Sequence, residues 1–427
     1  MSQGRIFNSW WPLAASWLLM SAETPTMSAV VARLADPEIH LAAYGGVVFP
    51  LALIIEAPIV MLLSASTALS KDWPSYRKVW KFMMTTSAGL TALHLLVAFT
   101  PLYYVIVRGL LSVPEEIIEP ARIGLIIMTP WTWSIAYRRF HQGVLIRFGH
   151  SRQVSIGTAV RLGTDLVMLL AGYLIGSIPG IIVASSTVIA GVIAEAVYIG
   201  IVVRPVLKYE LRPAKLISEP LTSRAFTAFY FPLVLTSLLS FLAQPITSAA
   251  VSRMPLPVES LAAWSAISGL IFSLRSLGLA FNEVVVALLE EAGSYKALRR
   301  FAERLALLTS LLVLLFNVTP LSGFWFLRFT SFPLPLATLA QQSMWLALPL
   351  PALAAAQSWF QGIILHKRKT QAISEAVIIY LVITSLVFLA GIAWGKTTGL
   401  LVGVAGMSIS SLVQVGWLWL RSPKLTS

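Results

Sequence analysis

Long apolar runs, interrupted by short clusters of charge, Pro and Gly, recur along the whole chain. They predict twelve segments, near 10–33, 43–68, 82–107, 122–146, 155–177, 180–203, 225–251, 259–288, 303–327, 335–365, 373–395 and 399–420. Each is about the length a helix needs to cross the hydrocarbon of a bilayer. Only helices and closed barrels satisfy backbone N–H and C=O groups there, and the runs are too long and too continuously apolar for barrel strands. The expectation is an all-α polytopic membrane protein of twelve transmembrane helices.

The connections between the runs alternate in charge. On one side lie Arg5, then Lys71, Arg77, Lys78 and Lys81, then Arg147 and Arg152, then Arg204, Lys208, Arg212, Lys215 and Arg224. Lys296, Arg299, Arg300 and Arg304, then Lys367, Arg368 and Lys369, then Arg421 and Lys424 continue that side to 21 basic residues. The other side carries six: Arg33, Arg108, Arg122, Arg253, Arg328 and Lys396. Cytoplasmic loops are enriched in Lys and Arg, so both termini are expected in the cytoplasm. The opening MSQGRIFNSWWPLAAS has no small-residue cleavage site and reads as a first span, not a removed signal.

Sliding the chain against itself by 220 positions aligns Trp11-Pro12-Leu13 with Phe231-Pro232-Leu233, Pro25 with Pro245, Arg33 with Arg253 and Pro37 with Pro257. One position less pairs Pro130 with Pro349 and Gln142-Gly143 with Gln361-Gly362. Prolines and arginines in register do not arise from chance matching of apolar text. The repeat predicts a six-helix bundle over 1–203, a cytoplasmic linker over 204–224 and a second bundle over 225–427. Six spans is an even number, so the two copies run parallel and are related by an axis along the membrane normal. Two such bundles have the geometry for alternating access to a central cleft.

Composition agrees: 57% of residues are apolar and 11% charged, against about 25% charged in soluble domains. The net charge of +13 sits in connections and reads as topology, not as a nucleic-acid surface. Cysteine is absent, which excludes disulfides and thiolate metal sites. There is no glycine-rich phosphate loop ending in Gly-Lys-Ser/Thr and no His-Glu-x-x-His metal motif. The five histidines are scattered. Neither an ATP-driven pump nor an intramembrane hydrolase is expected, and no organic cofactor.

WPLAASWLL in the first span, ARLADPEIHLAAYG after it, HLLVAFTPLYYVIV in the third and QPITSAAVSRMPLPVESLAA after the seventh resemble sequences of a known group of carriers. With the two parallel halves, the chain resembles the multidrug/oligosaccharidyl-lipid/polysaccharide (MOP) flippase superfamily, which includes the MATE exporters, and most of all the progressive ankylosis protein (ANKH) family. That resemblance implies export of small phosphate- or carboxylate-bearing anions. MATE members instead expel organic cations in exchange for protons or sodium. A MATE-type multidrug antiporter and a lipid or lipid-linked saccharide flippase are therefore the alternatives. The expected partners are a small-molecule substrate and the bilayer, with the chain a monomer in a cell membrane, the cytoplasmic one if bacterial.

An ionisable group near the bilayer centre costs about 2.5–3.5 kcal/mol on insertion scales, and so marks a functional candidate. Glu23, two residues before Pro25, and Asp165 are the expected coupling pair for a proton or sodium ion, with Glu56 and His94 beside them. Asp165 can instead pair with Arg161, one helical turn away, and His94 can be a packing residue. Arg138, Arg139, Arg161 and Arg275, with Glu283 two turns below Arg275, are candidates for a cleft that binds an anion, because guanidinium matches carboxylate and phosphate geometry. Arg138 and Arg139 can also snorkel toward headgroups. Glu195 and Glu375 read as interfacial. The repeat-matched prolines Pro25, Pro245, Pro130 and Pro349 are candidate hinges flanking the site.

Overall fold

The structure, a computed structural model, describes residues 2–217, 220–289, 291, 293–366 and 371–422; the basic residues Lys367, Arg368, Lys369 and Lys424 lie outside them. The described elements are all helical. Among the described residues nine helices are each long and apolar enough to cross a membrane, and the bent pair Leu334–Leu346 and Leu350–His366 (41°), taken as one span, makes a tenth. Their outward faces are apolar: Ser294–Val318 leaves Leu307 70% and Leu308 58% exposed, a surface suited to lipid. The chain is an integral multi-pass membrane protein.

The segments expected near 10–33 and 122–146 are broken helices, Gln3–Ser21 with Glu23–Val31, and Glu115–Ile127 with Trp131–Arg147. Pro25 has no N–H to offer the Ser21 carbonyl, and that carbonyl accepts a hydrogen bond from Ser273 Oγ at 3.4 Å. Pro130 and Pro349 stand at matching breaks, just before Trp131–Arg147 and Leu350–His366. Pro245 behaves differently, because Ser223–Val251 runs through it unbroken.

Features recur at a fixed distance along the chain. Left-handed residues Asp36 and Leu256 stand 220 apart, whereas Ser112 and Ser331, and Gly176 and Gly395, stand 219 apart. Arg33 Nη1 and Arg253 Nη1 each donate to the carbonyl four residues back. Thr100 and Thr319 cap their turns alike. The π turns Val105–Leu111 and Phe324–Phe329 start 219 apart, as do the eight-residue helices Leu62–Leu69 and Phe281–Leu288. The loss of one position is explained by the π turn Tyr44–Val48, since a π turn accommodates one extra residue. Its counterpart lies in Pro257–Leu279, which is α-helical throughout.

The chain forms two compact units: Met1–Arg33, Pro37–Ala42 and Ile246–Ser427 make one; Leu34–Asp36 and Ala43–Pro245 make the other. These cut across the expected division into 1–203 and 225–427 at the opening helix of each copy. Ile6, Trp10 and Ala14 of the first helix are buried among Phe281, Val285, Leu298 and Trp359, and Trp10 Nε1 donates to the Leu277 carbonyl at 2.9 Å. Conversely, Phe226 and Tyr230 of Ser223–Val251 pack edge-on against Phe82, and Tyr230 Oη donates to the Pro58 carbonyl at 2.7 Å. The first helix of each copy thus packs with helices of the other copy.

The linker is tied down by Asp72, which caps Trp73–Phe99 by accepting from the Ser75 N–H (3.0 Å) and also accepts from the Ile217 N–H (3.1 Å). Burial alone would raise the Asp72 pKa, but hydrogen bonds from Ser75 and Ile217 outweigh it and hold the carboxyl below the usual aspartate range. A depressed folded pKa adds stability above the unfolded value of about 3.9, and that stability is lost as pH falls through the folded value. Asp72→Ala should cost about 1 kcal/mol at neutral pH. Thermal unfolding in detergent should show the gap to the parent protein narrowing below about pH 3.9.

Candidate functional site

In the unit built on Ala43–Pro245, one helix supplies most of a buried polar cluster. Trp131, Arg138 and Gln142 recur at helical spacing along Trp131–Arg147, so they share a face. Glu195, from Gly180–Val206, accepts from Arg138 Nη1 at 2.6 Å and from Gln142 Nε2 at 2.8 Å. Glu56, the last residue of Phe49–Glu56, accepts from Trp131 Nε1 at 2.5 Å. Arg161 and Asp165 pair along Ser151–Ile175 at 3.8 Å, the i,i+4 contact that the sequence allowed. The charges of Arg139, Arg138 and Arg161 all act on Glu56. Three guanidiniums and three carboxyl groups are therefore gathered inside a single bundle.

Arg139 is the cation of this set that none of the ion pairs among the described residues includes. Gly191 gives Asp165 its place, because a Cβ there would overlap the Asp165 carboxylate and crowd Arg161 Cγ at 3.1 Å. Glu195, expected at the interface, is instead fully buried. Its two donors come from a helix more than 50 residues away in sequence, a pairing no local pattern announces. The Arg138/Gln142 spacing of four was the available signal.

The other unit carries the same scaffold with different chemistry. At the 219-residue offset, Glu56 corresponds to Arg275, Arg138 to Gln357, Arg139 to Ser358, Arg161 to Tyr380, Asp165 to Thr384, Gly191 to Ser410 and Glu195 to Gln414. Thr384 Oγ1 donates to Ser410 Oγ at 2.8 Å where the first copy places Asp165 against Gly191. Tyr380 shares a hydrogen bond with Thr384 and is the electrostatic neighbour of Arg275. Arg275 Nε is buried without a hydrogen-bond partner, and none of the ion pairs among the described residues includes Arg275. The second copy thus keeps the polar positions and discards every charge except one, whose sign it inverts.

The remaining candidates fall outside these groups. Glu23 opens Glu23–Val31 from its first turn, where a carboxylate suits the helix dipole, and belongs to a different compact unit from Asp165. His94 is fully buried, with Nε2 hydrogen-bonded to the Leu125 carbonyl at 2.9 Å, the geometry of a packing residue. Glu283 is exposed in the first turn of Phe281–Leu288. Glu375 pairs with Arg421 at 2.9 Å and accepts from Trp417 Nε1. The four arginines expected in one cleft divide between the units, with Arg138, Arg139 and Arg161 in one and Arg275 in the other. Among the described residues, no group of three His, Asp or Glu is placed to hold a metal ion.

Solved structures share this architecture. The fold is similar to that of solved MOP-superfamily transporters. An inward-facing multidrug resistance MATE family transporter matches with a TM-score of 0.67 at 14% identity, over 94% of each chain. The lipid II flippase MurJ in an inward closed conformation matches at 0.70 and 16% identity, over 96% of this chain and 87% of that one. The eukaryotic MATE transporter AtDTX14 matches at 0.65 and 13% identity, over 99% and 97%. No family model matches the chain, and no curated protein does.

On the MOP fold, the correspondence between Asp165/Gly191 and Thr384/Ser410 makes a direct test of the cluster. Gly191→Ser alone should destabilise by about 1–3 kcal/mol through overlap with the carboxylate. Combining it with Asp165→Thr rebuilds the pair found in the second copy, and should recover most of the loss in a double-mutant cycle read by thermal unfolding. An additive cycle would mean that the two side chains do not meet.

Proposed function

We propose that the protein is a secondary active exporter of a small anionic or amphipathic solute, working by alternating access and coupled to protons or sodium. The observation that carries this reading is Arg275. A guanidinium stays charged, and Arg275, partly buried with its Nε out of contact with any acceptor, is costly without an anionic partner. An anionic solute that binds there removes that cost, and the neutral hydrogen-bonding positions Tyr380, Thr384 and Gln414 suit oxygen-rich groups. The fold shared with transporters and a flippase supports transport as the general task. The resemblance to progressive ankylosis proteins read in the sequence motifs is the ground for a phosphate- or carboxylate-bearing solute.

The charge cluster of the first copy supports a coupling role for Glu56 and Asp165. A proton or sodium ion taken up there shifts its net charge by one, and release shifts it back. Glu23 is a separate candidate for the same ion. Twelve crossings with both termini in the cytoplasm, supported by the alternation of basic and poorly basic connections, complete the reading, together with a monomeric state and a cell-membrane location.

Vesicles containing the purified protein should take up labelled citrate or pyrophosphate when a pH or sodium gradient is imposed. Arg275→Gln should lower that uptake at least about tenfold, equivalent to about 1.4 kcal/mol of lost interaction, with thermal stability unchanged or raised. Uptake untouched by Arg275→Gln would overturn the anion reading. The likeness to the lipid II flippase favours a flippase as the second reading, which predicts translocation of a labelled lipid-linked saccharide instead. Ethidium efflux sensitive to Glu23→Gln would select the multidrug antiporter.

A further inference from the structure

A groove of about 310 Å³ opens on the unit that contains the second copy, between the helices Ser294–Val318, Leu350–His366 and Gly399–Arg421. Tyr295, Trp359, Phe360 and Trp419 form its walls, Ala302 and Ala356 leave its floor open, and Arg299 and Glu303 stand at its rim. Its level in the membrane is marked by the helix that carries it. Lys296, Arg299, Arg300, Glu303 and Arg304 are exposed in the first turns of Ser294–Val318, and Leu307, Leu308, Leu311 and Leu312 are exposed directly after them. Headgroups and acyl chains meet where such a surface changes from charged to apolar.

The corresponding place in the first copy is filled. At the 219-residue offset, Ala356 becomes Tyr137, Trp419 becomes Gly200 and Ala302 becomes Met83. Met83 is fully buried, and Tyr137 occupies the space over Gly200, where a Cβ would stand 2.8 Å from its hydroxyl. The supporting aromatic pair is kept in both copies: Tyr76 lies 5.2 Å from Phe140, and Tyr295 lies 5.3 Å from Trp359. One scaffold therefore closes this slot with its own side chains in one copy and holds it open in the other.

We propose that the open slot binds one anionic phospholipid of the leaflet on the basic-loop side. Charge selects the headgroup. Within the lining Arg299 engages Glu303 at 2.9 Å; Lys296, Arg300 and Arg304, on the adjoining face of the same helix and outside the lining, have no ion-pair partner among the described residues, which leaves three cations beside the slot for a phosphate and an anionic headgroup. The aromatic walls, the exposed Trp419 among them, take the glycerol and first methylenes. The site is independent of what the protein carries.

Native mass spectrometry of the full chain, released from micelles doped with equal phosphatidylglycerol and phosphatidylcholine, tests this. The parent protein should retain one phosphatidylglycerol in preference to phosphatidylcholine. Ala356→Tyr with Trp419→Gly, which brings in the Tyr-over-Gly packing of the first copy, should abolish that retention. Arg300→Gln with Arg304→Gln, which leaves the packing intact, should weaken it about fivefold for each charge removed, and serves if the first variant fails to fold. Equal retention of both lipids by the parent protein, or retention unchanged in the folded variants, would overturn the proposal. So would a dimer mass that disappears with Ala356→Tyr and Trp419→Gly, since that assigns the slot to a second copy of the chain.

Discussion

A charge removed from water has to find compensation, and in a bundle surrounded by lipid the chain must supply it. The first copy does so with Glu195 against Arg138, Asp165 against Arg161, and Glu56 held by Trp131 within the field of three arginines. Nearly every polar position of the cluster answers to that requirement. Gly191 gives up its side chain so that Asp165 fits, and Gln142 supplies the second donor that Glu195 needs. In the second copy the requirement is relaxed by removing charges, and Arg275 is what remains.

Duplication followed by divergence explains why the two copies differ where they do. Backbone features persist: caps, left-handed residues and π turns repeat at fixed offsets. Close packing persists as well, as when Gly172 admits Val183 and Gly391 admits Val402 in the same crossing. Side chains that face polar or open space have changed, in the charge cluster and again at the slot where Ala356 replaces Tyr137. The helix crossings constrain size and shape tightly, whereas a side chain facing a ligand, an ion or a lipid is free to alter with its partner.

The sequence by itself determined the membrane class, the helical secondary structure and the duplication, because these rest on hydropathy, span length and residues in register. It also contained the pairing of Arg161 with Asp165, since four residues along one helix fix that contact. Proline and glycine spacing carried the matching breaks at Pro130 and Pro349, but could not show that Pro245 sits in an unbroken helix.

Tertiary structure alone decided which helix faces which. The burial of Glu195 against Arg138, the Trp131–Glu56 hydrogen bond and the packing of each opening helix with the other copy all join residues far apart in sequence. Hydropathy says that a face is buried without saying against what. The self-alignment shows that one position is lost before Pro130, but placing that loss ahead of Glu56, and so matching Glu56 with Arg275, required the π turn Tyr44–Val48. The partner of a buried charge is settled by the shape of the crossing that brings two helices together, and that shape depends on side chains from both at once.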